Sequence, residues 1–168
     1  TAEEKLYMPI HTQHQEPLAT VAMSGDGRWA ATTDGNDSFI VWELPTTRAH
    51  ATYKVQHFAT PRAHYQNRTY IKALALSQDG SFALSATQLI LQERQVILEV
   101  WNLKSDSQSS YDHFNCNADV VSTLAISADG KLALIGFGDD VMIWLPGERI
   151  QTYGKGLTPI STTHPRVS

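Results

Sequence analysis

Hydrophobic positions along the chain fall into short alternating runs, each broken by the same polar turn. Residues 18–42 read LATVAMSGDGRWAATTDGNDSFIVW. Residues 71–101 open on IKALALSQDG, continue through FALSAT and close on VILEVW. Residues 121–144 read VSTLAISADGKLALIGFGDDVMIW. Within these stretches VAMS, ALALS and LAIS alternate with a period of two, the spacing of a strand with one face buried. Each run stops at Ser-x-Asp-Gly, where Gly27, Gly80 and Gly130 follow an Asp as tight hairpin turns prefer.

The residues after each turn are small: Ala30, Ala31 and Thr32, then Ala83, Leu84 and Ser85, then Ala133, Leu134 and Ile135. Slim side chains suit a strand held between neighbouring sheets. A third, β-branched strand closes each unit on Trp42, Trp101 or Trp144. A more polar run follows each Trp, at 51–56, about 108–113 and 149–153, as expected of an outer strand facing water. The pattern therefore predicts four-stranded antiparallel sheets, one per repeat, and no helix. Residues 5–11 (KLYMPIH) read as one more outer strand, detached from any unit of its own. The units span 17–56, 70–113 and 120–154. Asp26 to Asp79 is a step of 53 residues and Asp79 to Asp129 one of 50. Both exceed the usual ~40–45 for such a sheet, which implies long loops.

These copies resemble the WD-repeat β-propeller family, over nearly the whole chain. In that family a His precedes an apolar strand, a Ser-Pro-Asp-Gly turn follows, and a later strand ends in Trp-Asp. The first unit keeps the register through His14, Leu18, Val21, Ser24, Asp26, Gly27, Ala30 and Trp42. The turn's Pro is replaced by Gly25, Gln78 and Ala128, and the Asp after Trp by Glu43, Asn102 and Leu145. The resemblance implies an all-β propeller with a structural hydrogen-bond network in each blade. Carried over, the network is His14, Thr32, Trp42 and Asn36 or Asp37 in blade one, and Asn67, Ser85 and Trp101 in blade two. Blade three offers Asn117, Trp144 and Asp139, with Ile135 in place of the hydroxyl. The network is degraded, most of all in blade three, so weaker polar locking and more apolar packing between blades are expected.

The resemblance also implies an incomplete ring. Known propellers carry about 4–8 blades, so three blades and an orphan strand make about half of one. Open flanks of apolar strand need a cover. The reading leaves three explanations: a portion of a longer protein, a homodimer that completes a six-bladed ring, or a missing half supplied by another polypeptide.

Composition narrows the partners. Hydrophobic residues make up 42% and charged residues 18%, the balance of a folded chain. A formal net charge of −4 with no basic run argues against a nucleic-acid partner. No apolar stretch has the length of a membrane span, and TAEEKLYM has no secretory-signal pattern. Cys116 is the single cysteine, so no internal disulfide forms. That is compatible with a reducing compartment and leaves the localisation open.

Candidate chemistry lies mostly in loops. The second unit carries an insertion: Ala83 to Trp101 is 18 residues against 12 from Ala30 to Trp42. Its segment TQLILQERQVIL predicts an extended hairpin with Leu89, Ile90 and Leu91 near an apolar tip and Arg94 beside it. The connection 57–68 brings His57, Phe58, Arg62 and Tyr65 to the same end, a mixture suited to protein contact. These eight residues form the candidate partner-binding surface; the alternatives are a packed hairpin and a variable loop. Seven histidines, with the loops 34–37 and Asp139-Asp140, raise the question of a metal. No pair has structural-zinc spacing, and Asp, Asn and Gly are ordinary turn residues. No cofactor or metal is therefore expected. Trp29 lies outside the repeat, placed to fill the gap to an adjoining blade of this chain or another. The reading that results is a non-catalytic protein–protein scaffold. The alternative is an enzyme or metal-binding accessory propeller with a channel-mouth site from His14, His57, His113 and the Asp loops.

Overall fold

The computed structural model describes residues 14–44, 48–54, 69–89, 95–105, 110–117 and 121–147 of the chain. Among them are only strands, turns and irregular segments, so no described helix is long and apolar enough to cross a membrane. The first sheet holds β1 (Thr20–Met23), β2 (Trp29–Thr33), β3 (Ser38–Glu43) and β4 (Arg48–Lys54) in that spatial order. The second holds β5 (Thr69–Leu76), β6 (Phe82–Leu89), β7 (Gln95–Asn102) and β8 (Ser110–Asn117), again in chain order. The third comprises β9 (Val121–Ile126), β10 (Ala133–Phe137) and β11 (Asp140–Trp144). All described pairings are antiparallel. The expected strands at 5–11 and 149–153 lie outside the described residues.

The turns explain why the strands begin and end where they do. In the first, the Gly27 amide donates to the Ser24 carbonyl at 3.0 Å and the Ser24 amide to the Trp29 carbonyl at 2.9 Å. The Ser24 hydroxyl donates to Asp26 Oδ1 at 2.6 Å and accepts from the Trp29 amide at 3.0 Å. Ser77, Asp79, Gly80 and Phe82 repeat this pattern, as do Ser127, Asp129, Gly130 and Leu132. Gly27, Gly80 and Gly130 adopt φ of 70°, 68° and 71°. A side chain there would meet the steric cost of the left-handed region, which is why the turn calls for Gly.

Two outer strands depart from the sequence expectation. β4 begins at Arg48 rather than 51, because Arg48 pairs with Glu43 directly across the connection. β8 continues to Asn117 rather than ending near 113, because β7 reaches back to Gln95 and offers it a partner. Bulges at Val41/Trp42 and Val100/Trp101 shift the register at the same place in both sheets.

Alternation in each strand yields two different faces per sheet. Ala31, Phe39, Val41 and Tyr53 leave the first sheet on one side and pack against Ile71, Leu74, Trp101 and Leu103 of the second. Leu84, Leu98 and Val100 leave the second sheet on its opposite side and pack against Ile135, Met142 and Trp144 of the third. Trp101 and Trp144 thus point at the preceding sheet. By the same alternation Trp42 points away from the second sheet. The stack is head-to-tail, and two apolar layers between three sheets form the core. Each fully buried large side chain in these layers contributes roughly 1.5–3 kcal/mol.

Candidate functional site

The best-defined chemistry in the first sheet is a polar network. β1, β2 and β3 place Thr32 and Trp42 on the face turned away from the second sheet. Trp42 Nε1–H donates to Thr32 Oγ1 at 2.8 Å, and Thr32 Oγ1 lies 2.9 Å from His14 Nε2. Indole nitrogen is a donor only, so Thr32 Oγ1 accepts from Trp42, while the direction of its bond with His14 Nε2 follows the histidine tautomer. His14 Nδ1 faces Asp34 Oδ2 at 3.7 Å. Sequence reasoning offered Asn36 or Asp37 as the acidic member. The structure puts Asp34 beside the histidine instead, because the turn at 34–37 folds back one step earlier: the Asn36 amide donates to Asp34 Oδ1 at 3.1 Å. Burial of Asp34 opposes its ionisation. The donors from Asn36 and the attraction of His14 outweigh it, and the carboxyl sits below its ordinary value.

The second sheet keeps one link of this chain, Trp101 Nε1–H donating to Ser85 Oγ at 3.0 Å. In the third, Ile135 occupies the register and packs in the apolar layer with Trp144. Asn67 lies outside the described residues, and the side chains of β8, including Asn117 and His113, are not described. Glu99, fully buried on β7, is an ionisable residue that the sequence pattern did not single out. It holds the place that Ile40 and Met142 take two residues before Trp in the other sheets.

The partner-binding candidates fall largely beyond the described residues. That applies to His57, Phe58, Arg62, Tyr65, Ile90, Leu91 and Arg94. Leu89 is the last residue of β6, paired with Gln95 and Thr69. The extended hairpin expected from the insertion is present as two eight-residue strands, against five and six residues for β2 and β3.

A cavity of about 430 Å³ opens at the opposite end, beside the Ser-x-Asp-Gly turns, between the first two sheets. Trp29, His50 and Tyr53 line one wall, Gly80, Leu103 and Lys104 the other. Trp29 and His50 meet edge to face with centroids 5.0 Å apart. Tyr53 stacks on Phe39 at 5.1 Å and meets Trp101 at 5.9 Å. Burial pushes the Tyr53 phenol above its usual value, so it remains a neutral donor. Lys104 Nζ lies 3.1 Å from Asp79 Oδ2. Hydrogen bonds from the Ser81 side chain and amide, then Lys104, hold the Asp79 carboxyl far below the usual carboxylate range. The cavity therefore offers aromatic walls, two polar tips and a cation at the rim.

Trp29 lies outside the repeat as read from the sequence. It has a counterpart in each unit, Phe82 and Leu132, five residues after the turn serine. A Cβ built on Gly80 would run into the Trp29 ring, and one on Gly130 would lie 2.7 Å from Phe82. Each of these side chains roofs the glycine of the next turn. The signal was present in the spacing but hidden by the change from Trp to Phe to Leu. Among the described residues no three His, Cys, Asp or Glu side chains converge as metal ligands would. In comparison with known proteins, no family model matches the chain, and no curated protein matches its sequence.

Proposed function

We propose that the chain is a WD-repeat-type β-propeller protein that serves as a non-catalytic platform for other proteins. The observation that carries this is the threefold Ser-x-Asp-Gly turn with its side-chain lock, joined to head-to-tail packing that puts each Trp against the preceding sheet. The Trp42–Thr32–His14 relay supports it further, since it occupies the register the family uses for structure. His14 is engaged by Thr32 and Asp34, which favours a structural role over a channel-mouth site. Platforms of this kind work by rigidity: a shape held by three packed sheets presents loops without paying for their ordering at each encounter.

Two ends of the sheets are available for contact. One is the end of the β6–β7 hairpin, where Leu89 closes β6; the sequence pattern assigns to it Ile90, Leu91 and Arg94 and the connection with His57, Phe58, Arg62 and Tyr65, which lie outside the described residues. The other carries the aromatic cavity with His50 and Lys104 at its rim. A pull-down with the intact chain, a variant with residues 89–91 changed to Ser, and the variant H50A with K104E separates them. Loss of a partner with the first variant assigns the hairpin end, and loss with the second assigns the cavity. Retention of every partner by both variants overturns the surfaces named. Metal analysis of the purified protein tests the competing reading, because stoichiometric metal would favour an accessory metal site over a plain platform.

A further inference from the structure

Among the described residues the head-to-tail packing leaves two outer faces, and the same register positions that are covered inside the stack are exposed there. Leu74 and Leu76 of β5, just before the turn serine, pack toward the first sheet, and Leu124 and Ile126 of β9 pack toward the second. Their counterparts on β1 are Val21 and Met23, which are 64% and 65% exposed. On the opposite flank Ala31 with Phe39 and Leu84 with Leu98 are fully buried. Their counterparts on the third sheet are Leu134 and Val141, 41% and 54% exposed.

The turns repeat the message in finer detail. Trp29 roofs Gly80 and Phe82 roofs Gly130, so each junction inside the chain joins an apolar residue to a bare glycine of the next turn. Leu132, the third member of the apolar series, is 40% exposed. A Cβ at Gly27, the first member of the glycine series, would meet nothing within 4 Å. One end thus presents the donor half of this junction and the other end the acceptor half. Scattered exposed apolar residues need no explanation. Here they lie where the two internal interfaces, continued by one step, would bury them.

We propose that the Leu132, Leu134 and Val141 face of the third sheet docks on the Val21 and Met23 face and Gly27 turn of a second copy of this chain. Each copy carries both halves, so a pair related by a two-fold axis satisfies both junctions at once. The proposal rests on the repeat reading given under Proposed function, whose partner binding is measured separately.

Sedimentation of the purified chain over a concentration series tests it, together with V21K and L134D, both at exposed positions, with circular dichroism to check their folding. The wild type is expected at twice the 18.6 kDa of one chain. Each variant alone carries one damaged half in both junctions and is expected at the mass of one chain. Mixed, the V21K copy retains Leu134 and the L134D copy retains Val21. One intact junction and one lysine–aspartate junction form, and the doubled mass returns. A wild-type chain that stays monomeric overturns the proposal, as does a dimer that only one variant disrupts, or a mixture that remains monomeric. A monomer that still loses its partner on the changes at 89–91 would sink the docking and leave the platform reading standing.

Discussion

In the first sheet Trp42 gives its indole proton to Thr32, and Thr32 stands against a histidine that faces Asp34. In the third sheet the register of Thr32 belongs to Ile135, which lies fully buried among Phe137, Met142 and Trp144. The strand order, the turn and the terminal tryptophan are shared, yet one sheet uses a polar relay and the other an apolar plug. A buried hydrogen bond contributes about 0.5–1.5 kcal/mol net, while a fully buried aliphatic side chain contributes roughly 1.5–3 kcal/mol. The geometry of a sheet can thus be kept while its locking interaction is exchanged, provided that no donor is left facing a methyl group.

The largest break in this comparison should come from the plug. Ile135→Ala is expected to cost about 2–5 kcal/mol, as for other buried aliphatic truncations, read as a lower urea midpoint with an unchanged slope. Ile135→Thr should lose less than Ile135→Ala; an equal or greater loss would mean that the third sheet cannot accept a hydroxyl at this register.

The turns give the next effect. Gly130→Ala forces a φ of 71° on a side chain and drives its Cβ to 2.7 Å from Phe82. Gly27→Ala has nearly the same φ but open space around the added carbon. The first should cost about 1–3 kcal/mol beyond the backbone strain of ~1–2 kcal/mol common to both. Equal losses in thermal melts of chains kept monomeric by L134D would refute the roofing of Gly130 by Phe82.

Thr32→Val tests the relay itself. It removes the acceptor of Trp42 and should destabilise by about 1–3 kcal/mol, the cost of orphaning a buried donor. Trp42→Phe combined with Thr32→Val should lose less than the sum of the single changes. Strict additivity in that cycle would show that the two side chains do not act as a pair.

The smallest effect is acid sensitivity shared by the three turns. Hydrogen bonds from Ser24 and the Arg28 amide lower the Asp26 carboxyl, and Ser127 and the Lys131 amide do the same for Asp129. Asp79 is lowered as well, chiefly by Ser81. Folded values below the unfolded value of about 3.9 mean that this stabilisation is present above that pH. It is lost as the pH falls through the folded values. The urea midpoint should therefore hold between pH 7 and 5 and fall below about pH 4. A midpoint that rises on acidification contradicts the turn geometry. Asp34 adds a carboxylate of the same direction in the first sheet alone.

Much of the fold was legible in the chain because its signals are local. Alternation in VAMS and ALALS, and Gly after Asp at three matching places, suffice to specify strand, turn and strand. The Thr32–Trp42 and Ser85–Trp101 bonds were implied by the family resemblance and are present. Asp34 was missed because three polar residues in one short loop, Asp34, Asn36 and Asp37, are interchangeable by spacing. Only the path of the loop brings one of them to His14. The aromatic cavity was missed because its walls come from β2, β4 and the two turns of the second sheet, far apart in the chain.

The amino-acid order alone determined the sheets, since a period of two and a left-handed glycine act within a few residues of themselves. The tertiary arrangement decided which side of each sheet is covered. Alternation distinguishes the faces of a strand without saying which neighbour each will meet. Leu98 and Val141 stand at equivalent positions, and one is buried and the other bare only because a third sheet lies against the second.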